Sequence, residues 1–125
     1  MATTPEGRLK KEIKAYLNAR GIYWAIIPEG TYGKSGDPDL IACYQGLFVG
    51  LEAKTYEGRQ SNIQAVRQRE IEAAGGVYAI VRNLKEVEAA LDLAESTYRA
   101  RRIKALNARK AEKLAEAADL EDPHP

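Results

Sequence analysis

Three charged residues near the middle of the chain, Asp39, Glu52 and Lys54, have the types and the spacing to form one chemical site. A pair of carboxylates at adjacent strand ends binds a hard divalent cation through oxygen, with water and substrate phosphate filling the other positions. Such an ion polarises a phosphoryl oxygen and lowers the pKa of a bound water. A lysine on the same face can hold a phosphate or orient that water. The set is therefore suited to phosphodiester hydrolysis, although a Glu-x-Lys pair alone is more commonly a pair of solvated surface charges.

A β-hairpin is predicted to bring these three residues together. Residues 36–44 and 47–54 contain apolar runs of strand length joined by a Gly-containing turn. Side chains alternate along a strand, so Glu52 and Lys54 share one face. Proline is confined to strand starts and edges, so Pro38 places the following aspartate at the mouth of the first strand. In an antiparallel pair this position lies beside the far end of the second strand.

The rest of the chain supplies the elements that hold the hairpin. Apolar residues at helical spacing after Thr3 predict a first helix that ends near Gly21. Further periodic segments predict a strand at 22–27, a loop at 28–37, a helix from 61 to the Gly75-Gly76 pair, a strand at 76–82 and a helix from 83 onward. This order predicts an α/β fold with a small mixed sheet flanked by helices.

Two further polar residues have a structural and a functional interpretation. Glu6 lies three residues after Thr3 and can close a capping box there, and Gln64 stands in the same relation to Ser61. The Gly-rich loop at 28–37 contains a lysine and a tyrosine, so it is equally consistent with a phosphate contact and with a plain connector.

Composition limits the classes of protein that this chain can represent. Its 125 residues, 45% hydrophobic, have room for one core and a terminal extension. A mean hydropathy of -0.45 and the lack of a long apolar run argue against a membrane span, and no signal-peptide pattern is present, so we expect a cytoplasmic protein. Cys43 is expected to be a small buried hydrophobe. The single histidine cannot form a zinc set.

The charges after residue 95 are arranged in blocks. Residues 99–113 contain seven lysines and arginines against one glutamate, and acidic residues follow. This basic block is consistent with a polyanion contact, or with a dimerising or coiled helix whose charges are only its solvated face. The apolar stripe of the third helix changes phase after Tyr98, which predicts a bend, a break near Asn107, or a helix that leaves the core and meets a partner.

The motifs together resemble a known family. Residues 36–40, the Glu52-Ala53-Lys54 triplet and the αβββαβ order resemble the PD-(D/E)xK nuclease superfamily, with its restriction-endonuclease-like fold. Residues 36–40, 48–55 and Gly58-Arg59, together with the following helix, are more closely similar to the VRR-NUC domain in its small stand-alone form, often found in phages. The resemblance covers roughly residues 5–90.

This resemblance implies a set of roles. Asp39 and Glu52 match the metal-binding carboxylates, with the backbone carbonyl of Ala53 as a further ligand, and Lys54 matches the catalytic lysine. Glu6 matches the acidic residue of the first helix, which assists at the metal directly or through water, and Gln64 matches a glutamine near the active site. Asp37 is an extra acid that could compete as a ligand.

The function implied is a Mg²⁺- or Mn²⁺-dependent endonuclease acting on branched DNA, plausibly four-way Holliday junctions, in DNA repair or recombination. Stand-alone members resemble junction resolvases in acting as homodimers, and no organic cofactor or membrane is implied. We divide the chain into a nuclease-like domain at 1–95 and, at 96–125, a basic helical extension with an acidic tail. The alternative is a module that binds branched DNA without cutting it and recruits partners through its C-terminal helix.

Overall fold

The computed structural model describes residues 4–28 and 35–121. Within this part of the chain the elements are α1 (Pro5–Ala19), β1 (Tyr23–Ile26), β2 (Leu40–Tyr44), β3 (Leu47–Ala53), α2 (Asn62–Ala73), β4 (Val77–Val81) and α3 (Leu84–Glu121). The predicted α/β architecture and its αβββαβ order are confirmed. Most of the Gly-rich loop, residues 29–34, lies outside the described residues, so neither interpretation of it is tested.

One four-stranded mixed sheet, in the order β1-β2-β3-β4, carries the fold. The strands β1, β2 and β3 pair antiparallel, and β4 pairs parallel to β3. The predicted hairpin is β2–β3, and its register places Leu40 opposite Leu51. The start of β2 therefore lies beside the end of β3.

The core is formed by one face of the sheet together with α1 and the first turns of α3. The helix α1 buries Leu9, Ile13 and Leu17, and α3 buries Val87 and Leu91, against strand residues that are themselves buried. Buried apolar area of this kind is the main stabilising contribution to a small domain. It fixes α1, and with it the first turn that carries Glu6, over the sheet.

The expectation for Cys43 is wrong, because its side chain is exposed. Leu40 and Ala42 are the buried residues at alternate positions of β2, and Cys43 is out of phase with them. The position of an apolar run in the sequence locates a strand, whereas the face of each residue depends on the register.

The chain divides into two compact units, Met1–Glu95 and Ser96–Pro125. The first contains the sheet. The second consists of the continuation of α3, whose residues 98–120 are all exposed. Of the three alternatives predicted for the third helix, a break near Asn107 is excluded, because α3 is continuous from Leu84 to Glu121 and no Gly or Pro interrupts it. Among the described residues, no helix is long and apolar enough to cross a membrane.

Candidate active site

The two central carboxylates, Asp39 and Glu52, are linked through each other's backbone. The Asp39 N–H donates to Glu52 Oε2 at 3.0 Å, and the Ala53 N–H donates to Asp39 Oδ2 at 2.9 Å. Asp39 lies immediately before β2 and Glu52 is the penultimate residue of β3, so the hairpin register brings them together. Each carboxylate is oriented by a rigid strand end, as a preorganised site requires.

The backbone before Asp39 is positioned by two glycines. A Cβ atom at Gly50 would lie 2.7 Å from Pro38 Cγ, and one at Gly36, whose φ is +84°, would lie 2.6 Å from the Ile63 carbonyl oxygen. The first glycine lets the fully buried Pro38 pack directly on β3, and the second lets the chain pass close to the start of α2. Because Pro38 directly precedes Asp39, these contacts set the position of that carboxylate.

Two side chains converge on the other oxygen of Glu52. The Gln64 side-chain amide donates to Glu52 Oε1 at 2.8 Å, and Lys54 Nζ lies 3.7 Å from the same atom. The oxygen of the same amide, Gln64 Oε1, accepts from the Ser61 backbone N–H at 3.0 Å. Ser61 Oγ in turn accepts from the Gln64 backbone N–H. The capping box and the contact with the site are thus both present, because the two ends of one amide serve them separately.

Glu6 is connected to Asp39 through Lys10, a residue that the sequence did not single out. Lys10 Nζ lies 3.5 Å from Glu6 Oε1 and 3.3 Å from Asp39 Oδ1, so it bridges the helix and the hairpin. Thr3 lies outside the described residues, and the cap of α1 is Thr4, whose hydroxyl accepts from the Gly7 N–H. The spacing of Glu6 and Lys10, one helical turn apart, was the signal that could have found this lysine.

The remaining acid near the hairpin, Asp37, faces a different partner. Arg67 Nε lies 3.9 Å from Asp37 Oδ1, and Arg67 also pairs with Glu70 at 2.8 Å. Arg67 belongs to α2, so the helix that follows the hairpin provides Asp37 with a cation.

The electrostatics of the site centre on Glu52, whose exposed fraction is only 5%. Burial and, after it, the negative charge of Asp39 raise the pKa of Glu52 to about 7, although Lys54, the hydrogen bond from the Asp39 N–H and Lys10 act in the opposite direction. Desolvation and a neighbouring like charge both disfavour the carboxylate. Burial, together with the charge of Glu52, also raises the pKa of Tyr78 on β4 to about 12, so that hydroxyl stays protonated near neutral pH.

The donor chemistry fits a hard divalent cation. Two carboxylates share a site in which burial disfavours the charge of Glu52, and a cation that binds both would relieve that cost. Among the described residues no group of three or more His, Cys, Asp and Glu side chains has a metal-binding arrangement. A site with two carboxylates is nevertheless the usual protein contribution to Mg²⁺, which keeps several waters and takes up substrate phosphate.

The fold and this arrangement define a small α/β domain with a carboxylate–lysine cluster at one end of its hairpin. A solved structure described as a VRR_NUC domain matches the chain with a TM-score of 0.60 at 24% sequence identity, covering 71% of this chain and 96% of that one. This likeness shows the VRR-NUC fold. The part of this chain that is not covered has no counterpart in that structure. No family model and no curated protein matches the chain.

Proposed function

We propose that the protein is a metal-dependent, structure-selective DNA endonuclease of the PD-(D/E)xK type, acting on four-way junctions or other branched DNA. The observation that carries the proposal is the convergence of Asp39, Lys54 and Gln64 on one buried carboxylate, that of Glu52. A purely structural role would not require a buried acid beside a second acid, because such a pair costs stability. The VRR-NUC fold supports the same function.

Asp39, Glu52 and the backbone carbonyl of Ala53 would hold Mg²⁺ or Mn²⁺, with Glu6 assisting directly or through water. When bound, the cation supplies a Lewis acid for a phosphoryl oxygen and a water of lowered pKa. The ammonium group of Lys54 lies near Glu52 Oε1, the oxygen that also accepts from Gln64, and there it can bind a water or a phosphate oxygen. Gln64 fixes the orientation of Glu52, as the second layer of contacts around a metal site commonly does.

A cleft beside the carboxylates supports an approach path for a nucleic-acid backbone. Its volume is about 450 Å³, and it is lined by Lys10, Lys14 and Asp39 together with apolar residues of β1 and β2. Two lysines one turn apart on α1 present a cationic wall next to the proposed metal ligands. Lysines in this position neutralise phosphates without reading sequence.

The test is cleavage of a labelled four-way junction, beside linear duplex and single strand of the same sequence, with Mg²⁺, Mn²⁺ or EDTA. We expect metal-dependent paired incisions in the junction arms for the wild type. Lys54→Ala should abolish cleavage while leaving junction binding largely intact. Lys85→Ala removes the same charge from an exposed position of α3 and should cut normally. Cleavage that persists in Lys54→Ala, or in EDTA, overturns the assignment.

The second candidate is a module that binds branched DNA without cutting it. The observation favouring it is the basic block at 99–113, which gives affinity without sequence specificity. Titration of the protein with Mn²⁺ in a calorimeter distinguishes the two. A module of this kind has no carboxylate-dependent metal site, whereas the proposed nuclease loses its binding heat in Glu52→Gln.

We further propose that the protein acts as a homodimer in the cytoplasm, in DNA repair or recombination, and that it is phage-encoded in a bacterial host. The chemical reason for a dimer is that two active sites can cut two strands of one junction. Sedimentation with and without a junction measures the stoichiometry, and one protomer per cleaved junction contradicts the homodimer.

A further inference from the structure

The second unit of the chain presents an exposed apolar stripe on a continuous helix. Ile103, Leu106 and Leu114 are 58%, 53% and 67% exposed, and every residue from 98 to 120 is exposed. Isolated apolar residues on a surface are ordinary, but large ones repeated along one helix indicate an interaction surface. The question is which partner fits it.

Two of these residues, Ile103 and Leu114, fall in a heptad pattern, and Leu106 lies beside it. Steps of three and four residues alternate without interruption along one face, which we call the seam; its members are Ala100, Ile103, Asn107, Lys110, Leu114 and Ala117. A seam with this spacing packs against another helix by inserting each residue between residues of its partner. With two small or apolar positions on either side of the central polar pair, Asn107 and Lys110, the seam is nearly symmetric about its midpoint.

Charge decides the orientation of the partner helix. Residues 99–104 contain four cations and no acid, whereas residues 112–120 contain Glu112, Glu116 and Asp119 against one lysine. If a second copy paired in the parallel orientation, its basic segment would lie beside the basic segment of the first copy. A second copy in antiparallel places each basic segment along the acidic segment of the other, so like charges separate and opposite charges meet.

The seam residues agree with the antiparallel orientation. With the two midpoints aligned, Ala100 faces Ala117, Ile103 faces Leu114, and Asn107 faces Lys110 of the other copy. In this arrangement an amide oxygen can accept from the ammonium group, which satisfies both polar residues. In a parallel pair Lys110 would face its own copy across the seam. A polar pair of this kind selects register and orientation at some cost in affinity.

We propose that the helical extension at 96–121 pairs with the same segment of a second copy of this chain as an antiparallel two-stranded coiled coil. The interface is independent of the proposed nuclease chemistry. It assigns a surface to the homodimer proposed above, and this surface lies outside residues 5–90, over which the sequence resembles the VRR-NUC domain. The few large apolar residues in the seam predict a reversible dimer.

The first arm of the test measures the mass of the full chain by sedimentation over a wide range of concentration, at low and high salt. We expect a dimer that salt weakens. Ile103→Glu should weaken dimerisation by about tenfold or more, because each dimer loses two buried isoleucines. Ala105→Glu adds the same charge to the same helix on the face away from the seam and should leave the dimer unchanged. A monomer at every concentration, or a dimer unaffected by Ile103→Glu, overturns the interface, and the latter outcome leaves the homodimer itself standing.

The second arm fixes the orientation by disulfide trapping in a Cys43→Ser background. Ala100→Cys and Ala117→Cys proteins, mixed under a mild oxidant, should form the mixed disulfide, because these positions face each other. Ala100→Cys alone should not cross-link, because in the antiparallel pair its two copies lie about 25 Å apart along the axis, beyond the reach of a disulfide. Efficient cross-linking of Ala100→Cys with itself would contradict the antiparallel arrangement.

Discussion

The two units of the chain use their charged residues in opposite ways. At the end of the hairpin, three hydrogen bonds join residues 12 to 14 positions apart. Glu52, which is 5% exposed, accepts two of them, and Asp39 accepts the third from the Ala53 N–H. In the extension, residues 98–120 are all exposed and carry blocks of charge along a single helix. The first arrangement depends on tertiary structure, and the second depends only on helical periodicity.

This difference determines how much one substitution can change. Removing one member of a buried polar cluster leaves the others without partners in a desolvated site, which is costly. Exposed charges contribute little singly, and substitutions among them usually change stability by less than about 0.5 kcal/mol. We therefore expect large effects from single changes at the hairpin, and effects in the extension only where the seam or a whole block of charge is altered.

The largest effect is expected for Glu52→Gln, which keeps the size of the side chain and removes its charge. Cleavage should fall by about 10³-fold or more, because Lewis-acid stabilisation is worth several kcal/mol in the transition state. Initial rates on the junction substrate measure this loss. Glu88→Gln, at an exposed position of α3, is the matched control and should cut at the wild-type rate. Equal rates for the two variants would remove Glu52 from the chemistry.

The next effect concerns stability against pH in the absence of metal. The pKa of Glu52 is raised from 4.5 to about 7, so the folded state holds a proton that the unfolded state releases. The resulting stabilisation is complete below pH about 4.5 and is lost as the pH rises through about 7. The free energy of unfolding in EDTA should therefore decrease over this window by an amount on the order of 3 kcal/mol.

Urea unfolding of the wild type and Glu52→Gln at a series of pH values isolates this contribution, because the variant lacks the titrating group. The difference between the two proteins should widen in favour of the variant as the pH rises. Mn²⁺ should restore more stability to the wild type above pH 7 than below, since it binds the ionised carboxylate. A pH-independent difference would show that Glu52 is not the group whose titration changes stability.

A smaller effect on activity is expected for Gln64→Ala. This change removes the amide that orients Glu52, and losses of about 10- to 100-fold in metal affinity or activity are typical for such contacts. Ser61→Ala is the control, because it removes the hydroxyl of the cap and leaves the Gln64 amide in place. It should cost about 1 kcal/mol in stability and little in activity. If both variants lose activity in parallel, Gln64 acts only through the helix cap.

The order and type of the elements were predictable from the sequence because periodicity and turn residues are local properties. Alternation in 47–54 and the proline before Asp39 were sufficient to bring Asp39, Glu52 and Lys54 to one end of the hairpin. The structure agrees with that placement, with Lys54 directly after β3. The exposure of Cys43 was not predictable, because the face of a strand residue depends on pairing with strands distant in sequence.

The finer geometry of the site required tertiary structure. Spacing suggested a cap for Gln64 and the family resemblance implied a site contact, and only the approach of α2 to β3 shows that one amide makes both. Lys10 was missed because its second partner, Asp39, lies on a different element, and the salt bridge depends on how α1 packs over the sheet. Single-element patterns cannot give such contacts.

The last prediction separates loss of stability from loss of site geometry by comparing two glycines of the same hairpin. In Gly50→Ala the new Cβ would lie 2.7 Å from Pro38 Cγ, so Pro38 must move and Asp39 with it. In Gly46→Ala nothing lies within 4 Å, but the φ of +80° strains the new residue. Both changes should destabilise the fold by about 1–2 kcal/mol, one by overpacking and the other by backbone strain.

Only Gly50→Ala should also weaken Mn²⁺ binding, because only there does the strain reach a carboxylate of the site. Thermal unfolding and calorimetric titration of both variants give the two quantities separately. If the two proteins lose stability equally and bind Mn²⁺ equally well, the packing of Pro38 on β3 does not position Asp39. If Gly50→Ala alone binds the ion less tightly, the position of Asp39 depends on this single close contact between Pro38 and β3.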